Sequence, residues 1–377
     1  MTWVAALFFL CMLLYAGLSL RAAWYFSRIR CESVPLISWP MVSVVVAIRN
    51  EAENLQDLLK ALINQDYPDG NYEIILVDDG SEDSSKAIAW VWADRHPQIR
   101  ILDSEPPEGT VAYKKEALEL GIREANGEII VQTDGDCTMG ENWLRSMVQH
   151  FGPDTALVSG PIVLHHNDHL LQRLQSLELM GLVALGAGSM AGGFPNMVNG
   201  ANLAFRKKVF EAVGGYSDIK QVASGDDELL LQKLLKHQPY EVRFARCQQA
   251  IVHTRPQENW EAFKAQRIRW VSKATHYLSR RTNLVQMVSY LAFLGLPVLL
   301  VLGFWEPQMA GIAVQLLVLK IAADLPLMYF ASNFFGRLKL FKRDYLKLQL
   351  AYVPYVIWVG IAANFSHSYQ WKGRNVK

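Results

Sequence analysis

Apolar residues fall along this chain in two regimes. Residues 3–20 form an uncharged apolar run, and three more long apolar stretches occupy 284–304, 309–331 and 346–363. Each approaches or exceeds the length a helix needs to cross a hydrocarbon core about 30 Å thick. Between them the apolar positions come in short β-branched runs alternating with helical spacing. Residues 42–47 read as a strand, and 53–62, with leucines on one helical face, as the helix that follows. The unit then recurs. A strand over 73–77 ends in Asp78-Asp79-Gly80-Ser81 and leads to a helix over 84–94; a helix over 115–124 and the turn 125–127 feed a strand over 128–132, which runs into Asp134-Gly135-Asp136. Strand-helix alternation predicts an α/β fold, a mostly parallel sheet with helices on both faces, plus transmembrane helices. Ligands of such sheets bind beyond the carboxyl ends of the strands, where both acidic pairs stand.

The pattern divides the chain into an N-terminal anchor (1–26), a soluble domain (38–281), transmembrane or interfacial helices (284–364) and a basic tail (365–377). The first segment lacks a basic region before its apolar run, and Arg21, Arg28 and Arg30 follow it where a signal peptide would carry small residues, so it reads as a retained anchor. The positive-inside rule then places residues 27–281 in the cytosol and the protein in the inner membrane. Arg337, Lys339, Lys342 and Arg343 read as a basic cytosolic loop. If 346–363 also crosses, the tail with Lys372, Arg374 and Lys377 lies outside, against the same rule. Pro354, Lys347 and Gln349 allow instead a re-entrant or interfacial segment that keeps residues 371–374 near the site. Lys320 and Asp324, one helical turn apart inside an apolar stretch, are expected to pair.

Charge is balanced at 37 basic against 36 acidic residues, which speaks against a nucleic-acid partner. The four cysteines show no paired spacing, so neither a zinc site nor a disulfide framework is indicated, and a reducing cytosolic face fits.

Three acidic clusters carry the candidate chemistry. Asp78-Asp79-Gly80-Ser81 suits an ordinary turn and helix cap as well as a ligand site. Asp134 and Asp136 flank a glycine with no basic residue nearby in sequence, so they repel unless a cation lies between them; hard Mg²⁺ or Mn²⁺ carrying a diphosphate suits that oxygen pair. Asp226-Asp227-Glu228 opens a helix over 229–235, where acids complement the dipole; three in a row exceed what a cap needs, and a carboxylate beside others suits a general base. Downstream, Gln266-Arg267-Ile268-Arg269-Trp270 sets an amide, a guanidinium and an indole on one turn shortly before the apolar stretches. Interfacial anchoring explains Trp and Arg there equally well.

Taken together these segments resemble family 2 glycosyltransferases of the GT-A fold over roughly residues 41–270. Residues 44–51 are similar to the family's first strand and its polar exit, 74–81 to its nucleotide-binding segment, and Lys114-Lys115-Glu116-Ala117-Leu118 with 127–130 to the approach to its DxD motif. Gln266 to Trp270 is similar to the QxxRW signature of cellulose, hyaluronan and chitin synthases and of ceramide glucosyltransferases. The chain departs where Asp226 replaces a usual Glu and Glu119 a frequent Asn. The resemblance implies an inverting, membrane-bound transfer from a nucleotide sugar, probed best with UDP-sugars, to a lipid or lipid-linked glycan. Asp78, Asp79, Glu51, Lys114 and Asp134 would hold the donor, and Asp136 with Asp134 the divalent metal. Asp227 would be the base beside Asp226, and Gln266, Arg269, Trp270, Asn199, Gly200 and Asn202 would line and close the site. Processive polysaccharide synthesis is the alternative, disfavoured by few spans. A non-catalytic scaffold and a nucleotidyltransferase leave the acids or the Gln266–Trp270 signature without a use.

Overall fold

The computed structural model describes residues 2–34, 38–68, 70–107, 109–165, 168–238, 240–365, 369–372 and 374–376. In chain order the elements begin with helix α1 (Thr2–Arg28), strand β1 (Val42–Ile48), α2 (Leu55–Ile63), β2 (Tyr72–Asp78), α3 (Ser85–Ala93), β3 (Ile99–Asp103), α4 (Tyr113–Glu124) and β4 (Ile129–Gln132). They continue with β5 (Thr138–Met139), α5 (Trp143–Val148), β6 (Thr155–Ser159), β7 (Ile162–Leu164), α6 (Leu170–Ala191), β8 (Leu203–Arg206), α7 (Lys207–Ala212) and α8 (Glu228–His237). Last come β9 (Glu241–Phe244), β10 (Val252–Thr254), α9 (Trp260–Ser272), α10 (Arg280–Leu302), α11 (Pro307–Phe334), α12 (Leu338–Phe365), β11 (Tyr369–Trp371) and β12 (Arg374–Val376).

These elements form two compact units interleaved along the chain, a sheet unit (residues 30–165, 195–256 and 368–377) and a helical unit (1–29, 166–194 and 257–367). Of the stretch 38–281 expected as one soluble domain, residues 166–194 with α6 and residues 257–281 with α9 belong to the helical unit.

In the sheet unit seven strands run in the order β3-β2-β1-β4-β8-β6-β9. Strands β3, β2, β1 and β4 pair in parallel, β8 is antiparallel to both its neighbours, and β6 pairs in parallel with β9. The apolar runs in β1, β2 and β4 are buried, as a sheet covered on both faces requires. A second sheet, β5-β10-β7, lies just past the DxD segment. The sheet unit also contains a disulfide, Cys31 to Cys247, across 216 residues of sequence. This corrects the expectation of no disulfide: pairing at such separation leaves no trace in cysteine spacing, and a persistent disulfide does not belong in a reducing compartment.

In the helical unit α1, α10, α11 and α12 share an apolar core that includes Phe8, Met12, Phe293, Leu296, Leu316 and Val353. Five helices, α1, α6, α10, α11 and residues 338–364 of α12, are long and apolar enough to cross a membrane. Lys320 pairs with Asp324 at 3.2 Å, as expected, and Asp324 also accepts from Tyr15 Oη and Ser19 Oγ, each at 2.9 Å. Lys320 Nζ donates further to Gln349 Oε1, so this ion pair is satisfied within the bundle. The expected basic loop is largely helix: Lys339, Lys342 and Arg343 lie in the first turns of α12, which continues through Pro354. Asp344 in the same turns takes up that charge, with Arg173 of α6 at 2.7 Å, Lys347 at 2.8 Å and Arg343 at 2.9 Å.

Candidate active site

Parallel register sets the carboxyl ends of β1 and β2 side by side, Ile48 opposite Asp78, and delivers Arg49 to Glu51 next to Asp78 and Asp79. The turn after β1 passes through Asn50 at φ 51°, a left-handed conformation that Asn tolerates. Its side chain accepts from Glu82 N at 2.8 Å. Asp78 accepts from Ser81 Oγ at 2.5 Å and from Ser81 N at 3.2 Å, so it caps its own turn. Asp79 is buried. Its Oδ2 accepts from Arg374 Nη1 at 2.8 Å, while its Oδ1 has no hydrogen-bond partner among the described residues. Burial outweighs the Arg374 charge and raises the Asp79 carboxyl above its ordinary range.

Lys114, in the first turn of α4, is the hub of the site. Its ammonium donates to Asp134 Oδ1 at 2.8 Å and stands 3.0 Å from Asp226 Oδ2. Asp134 thus has a basic partner from twenty residues upstream, where reading along the strand end does not look. Burial works against the Asp226 charge, but Lys114, Lys115 and the Gln132 amide outweigh it and hold that carboxyl well below the usual range. Gly200 lies against this group, and a Cβ there would meet Asp226 Oδ2 and Gln132 Nε2 at 2.9 Å. Lys115 points the other way, fully buried, and donates to the carbonyls of Ile219 (2.8 Å), Val222 (2.6 Å) and Ser224 (2.8 Å). It thereby ties down the segment that ends in Asp226 and Asp227. Sequence reasoning passed over Lys115, because a lysine beside the motif lysine carries no separate signal.

Asp227 is the N-cap of α8: Oδ1 accepts from Glu228 N at 2.6 Å and Oδ2 from Gly200 N at 3.1 Å. Asn199 caps the following 3-10 turn by accepting from Ala201 N at 2.9 Å. Asn202, expected on the site wall, is instead fully buried and fully used: it accepts from Trp143 Nε1 at 3.0 Å and donates to Pro161 O and Ala250 O at 2.8 Å. Its amide joins β8 to neighbouring loops, and both its N–H groups are used there.

Asp136 accepts from Thr254 Oγ1 of β10 at 3.1 Å, and burial with the adjacent Asp134 charge raises its carboxyl. Glu51 lies against Gly135, where a Cβ would come within 2.7 Å of its Cγ. Glu51 accepts from Lys372 Nζ at 2.6 Å and from Asn54 Nδ2 at 2.8 Å. Among the described residues no three His, Cys, Asp or Glu side chains form a preassembled metal cage. Two carboxylates with their remaining positions open to water and phosphate are nevertheless the donor set a substrate-borne Mg²⁺ or Mn²⁺ uses. Asp134 and Asp136 fit that description.

Within the helical unit, Gln266, Arg269 and Trp270 lie on α9, which Asn259 caps by accepting from Ala262 N at 2.9 Å. Arg267, which follows Gln266, is buried along with Phe263. It donates to Glu178 of α6 at 2.6 Å, lies 4.5 Å from the Phe263 ring centroid and 4.2 Å from that of Trp270, and donates to Gln266 Oε1. Arg267 thus fixes the side chains on either side of it. Of the tail segment 371–374, Gly373 lies outside the described residues, as does the Trp371 side chain, whereas Lys372 and Arg374 reach Glu51 and Asp79.

The chain is similar to known glycosyltransferases. Over 124 residues, 33% of this chain and 40% of the other, the chain is 36% identical to the glycosyltransferase AglE of Haloferax volcanii. Over 236 residues, 58% of this chain and 47% of the other, it is 25% identical to the β-monoglucosyldiacylglycerol synthase of Synechocystis sp.. The chain thus spans about half or less of the length of these curated relatives. A mannosyltransferase from Pyrobaculum calidifontis, PcManGT, solved in complex with GDP-mannose and Mn²⁺, has the same fold with a TM-score of 0.61, 97% of each chain covered and 20% identity. The α/β GT-A architecture expected from the motifs is the one observed. Residues 1–377 match the description of glycosyl transferase family 21 from end to end, and the chain belongs to that family.

Proposed function

We propose that the protein transfers a glycosyl group from a nucleoside diphosphate sugar to a membrane lipid or lipid-linked glycan, with inversion, at the cytosolic face of the inner membrane. The observation that carries this reading is the Lys114 ammonium within 3.0 Å of both Asp134 and Asp226, which joins the diphosphate-side and acceptor-side carboxylates in one cluster. Asp79, with a buried unmatched oxygen, is assigned to the base or ribose of the donor. Asp134 and Asp136 would hold a divalent cation; bound there, it would stabilise the charge on the departing diphosphate.

The acceptor hydroxyl attacks the anomeric carbon as the carbon–phosphate oxygen bond breaks, and its proton passes to Asp227. Asp226 is the poorer base, since Lys114 holds it ionised, and its part is to keep that ammonium beside the diphosphate. Asn199 is assigned to the wall of the donor site. The lipid acceptor is supported by the apolar helices and by the glycolipid named in the Synechocystis relative. Incubating membranes with Mn²⁺ and labelled UDP- and GDP-sugars tests the reading. A labelled chloroform-extractable product is expected; a long ethanol-precipitable polymer replaces the lipid acceptor with processive synthesis, and no transfer rejects the activity.

A further inference from the structure

The C-terminal hairpin, β11 against β12 with Trp371 opposite Arg374, brings two cations into the carboxylates at the strand ends. Arg374 donates through Nη1 to Asp79 Oδ2 at 2.8 Å and through Nη2 to the Asp79 carbonyl at 2.9 Å. Its guanidinium lies 4.1 Å from the centroid of the Tyr113 ring. Gly80, at φ +66°, leaves room for it; a Cβ there would stand 3.1 Å from Arg374 Nη2. Lys372 Nζ reaches Glu51 Oε1 at 2.6 Å, and Arg49 Nε holds the Lys372 carbonyl at 3.1 Å.

These are not loose surface pairs, because the Asp79 and Glu51 side chains are 1% and 7% exposed. A flat group that lies by an aromatic ring and gives N–H bonds to a buried carboxylate makes the contacts a nucleobase edge would make. An ammonium on Glu51, whose side chain lies against Gly135 between Asp134 and Asp136, stands beside the place a divalent cation would come. The fit is incomplete in one respect: under the hairpin Asp79 Oδ1 is buried with no donor among the described residues. A resident wall of the site would be expected to satisfy that oxygen. A stand-in that yields to a better-matched ligand need not.

We propose that the C-terminal hairpin is a tethered competitor for the donor site, with Arg374 in the seat of the nucleoside and Lys372 in the seat of the cation, both leaving when the donor enters. This rests on the donor reading of Asp79, Asp134 and Asp136 given above. Because the apparent dissociation constant rises as the open fraction falls, a site closed nine-tenths of the time binds about tenfold more weakly than an open one.

The test uses full-length protein in detergent and calorimetric titration of UDP, and separately GDP, with Mn²⁺. Arg374→Ala is expected to tighten nucleoside diphosphate binding about three- to tenfold, and Lys372→Ala to lower the Mn²⁺ concentration that gives half-maximal binding. Thermal melts confirm that both variants are folded. Unchanged binding, or weaker binding in folded variants, overturns the competitor and makes the hairpin an inert or a constructive part of the site. Absence of UDP and GDP binding in the wild type and in both variants at saturating Mn²⁺ overturns the donor reading itself, and the competitor with it.

Discussion

Lys114 and Lys115 are neighbours with opposite fates. The first meets carboxylates at the site, while the second is buried against three backbone carbonyls and organises the loop that delivers Asp226 and Asp227. Lys115→Met leaves those carbonyls without their shared donor and should lower stability by at least about 2 kcal/mol, since a buried unmatched acceptor costs about 1–3 kcal/mol; an unshifted thermal midpoint in detergent would rule that out. Asp227→Asn is expected to keep UDP or GDP binding and to reduce turnover by about 10²-fold or more, because an amide cannot take the acceptor's proton. Lost nucleotide binding at undiminished turnover would move Asp227 to the donor side. Asp136→Ala should remove the Mn²⁺ dependence of nucleotide binding while the protein stays folded, and full activity in excess EDTA would exclude the metal altogether.

At the scale of elements, the link between α6 and α9 is a buried ion pair, Glu178 with Arg267, lying beside rings of α9. Removing one partner of such a pair costs about 3–5 kcal/mol, whereas replacing both with apolar groups is often neutral. Arg267→Met should therefore depress the thermal midpoint sharply and Arg267→Met with Glu178→Leu should restore much of it; a double variant no better than the single would show that the charge itself is needed on α9. This link also marks where reading the sequence ran out. Strands β1, β2 and β4 were legible because both their faces are buried and their apolar runs are unbroken, and their acidic exits followed from the parallel sheet. Helix α6 was not, because Arg173 and Glu178 interrupt its apolar pattern and are tolerable only through partners at 344 and 267. Asn202 misled for a related reason: an asparagine in a turn looks available until three partners absorb its amide. For Lys372 and Arg374 the sequence left two readings open, a tail on the far side or a segment kept near the site; the second agrees with their contacts, but their partners, about three hundred residues away in sequence, were not legible.

For the molecule as a whole, the charges following α1 argue for a cytosolic sheet unit and the Cys31–Cys247 bond argues for an oxidising one. Trapping thiols in intact cells before lysis decides between them. With a cytosolic sheet unit both cysteines should be captured reduced; recovery of the disulfide-linked form from a cell with a reducing cytosol would turn the sheet unit to the other face of the membrane.

The interleaving of the two units has a consequence for how the protein can be divided. The chain passes between them five times, so three separate lengths of sequence build each. No single proteolytic cut, alternative start or premature stop can release the sheet unit whole from the apolar helices, and a nick at any of the three inner crossings leaves both fragments carrying parts of both units. A secreted or soluble short form, common among enzymes tethered by one terminal anchor, is closed to this chain by its own threading. The sheet that carries the candidate site and the long apolar helices are therefore made together or not at all.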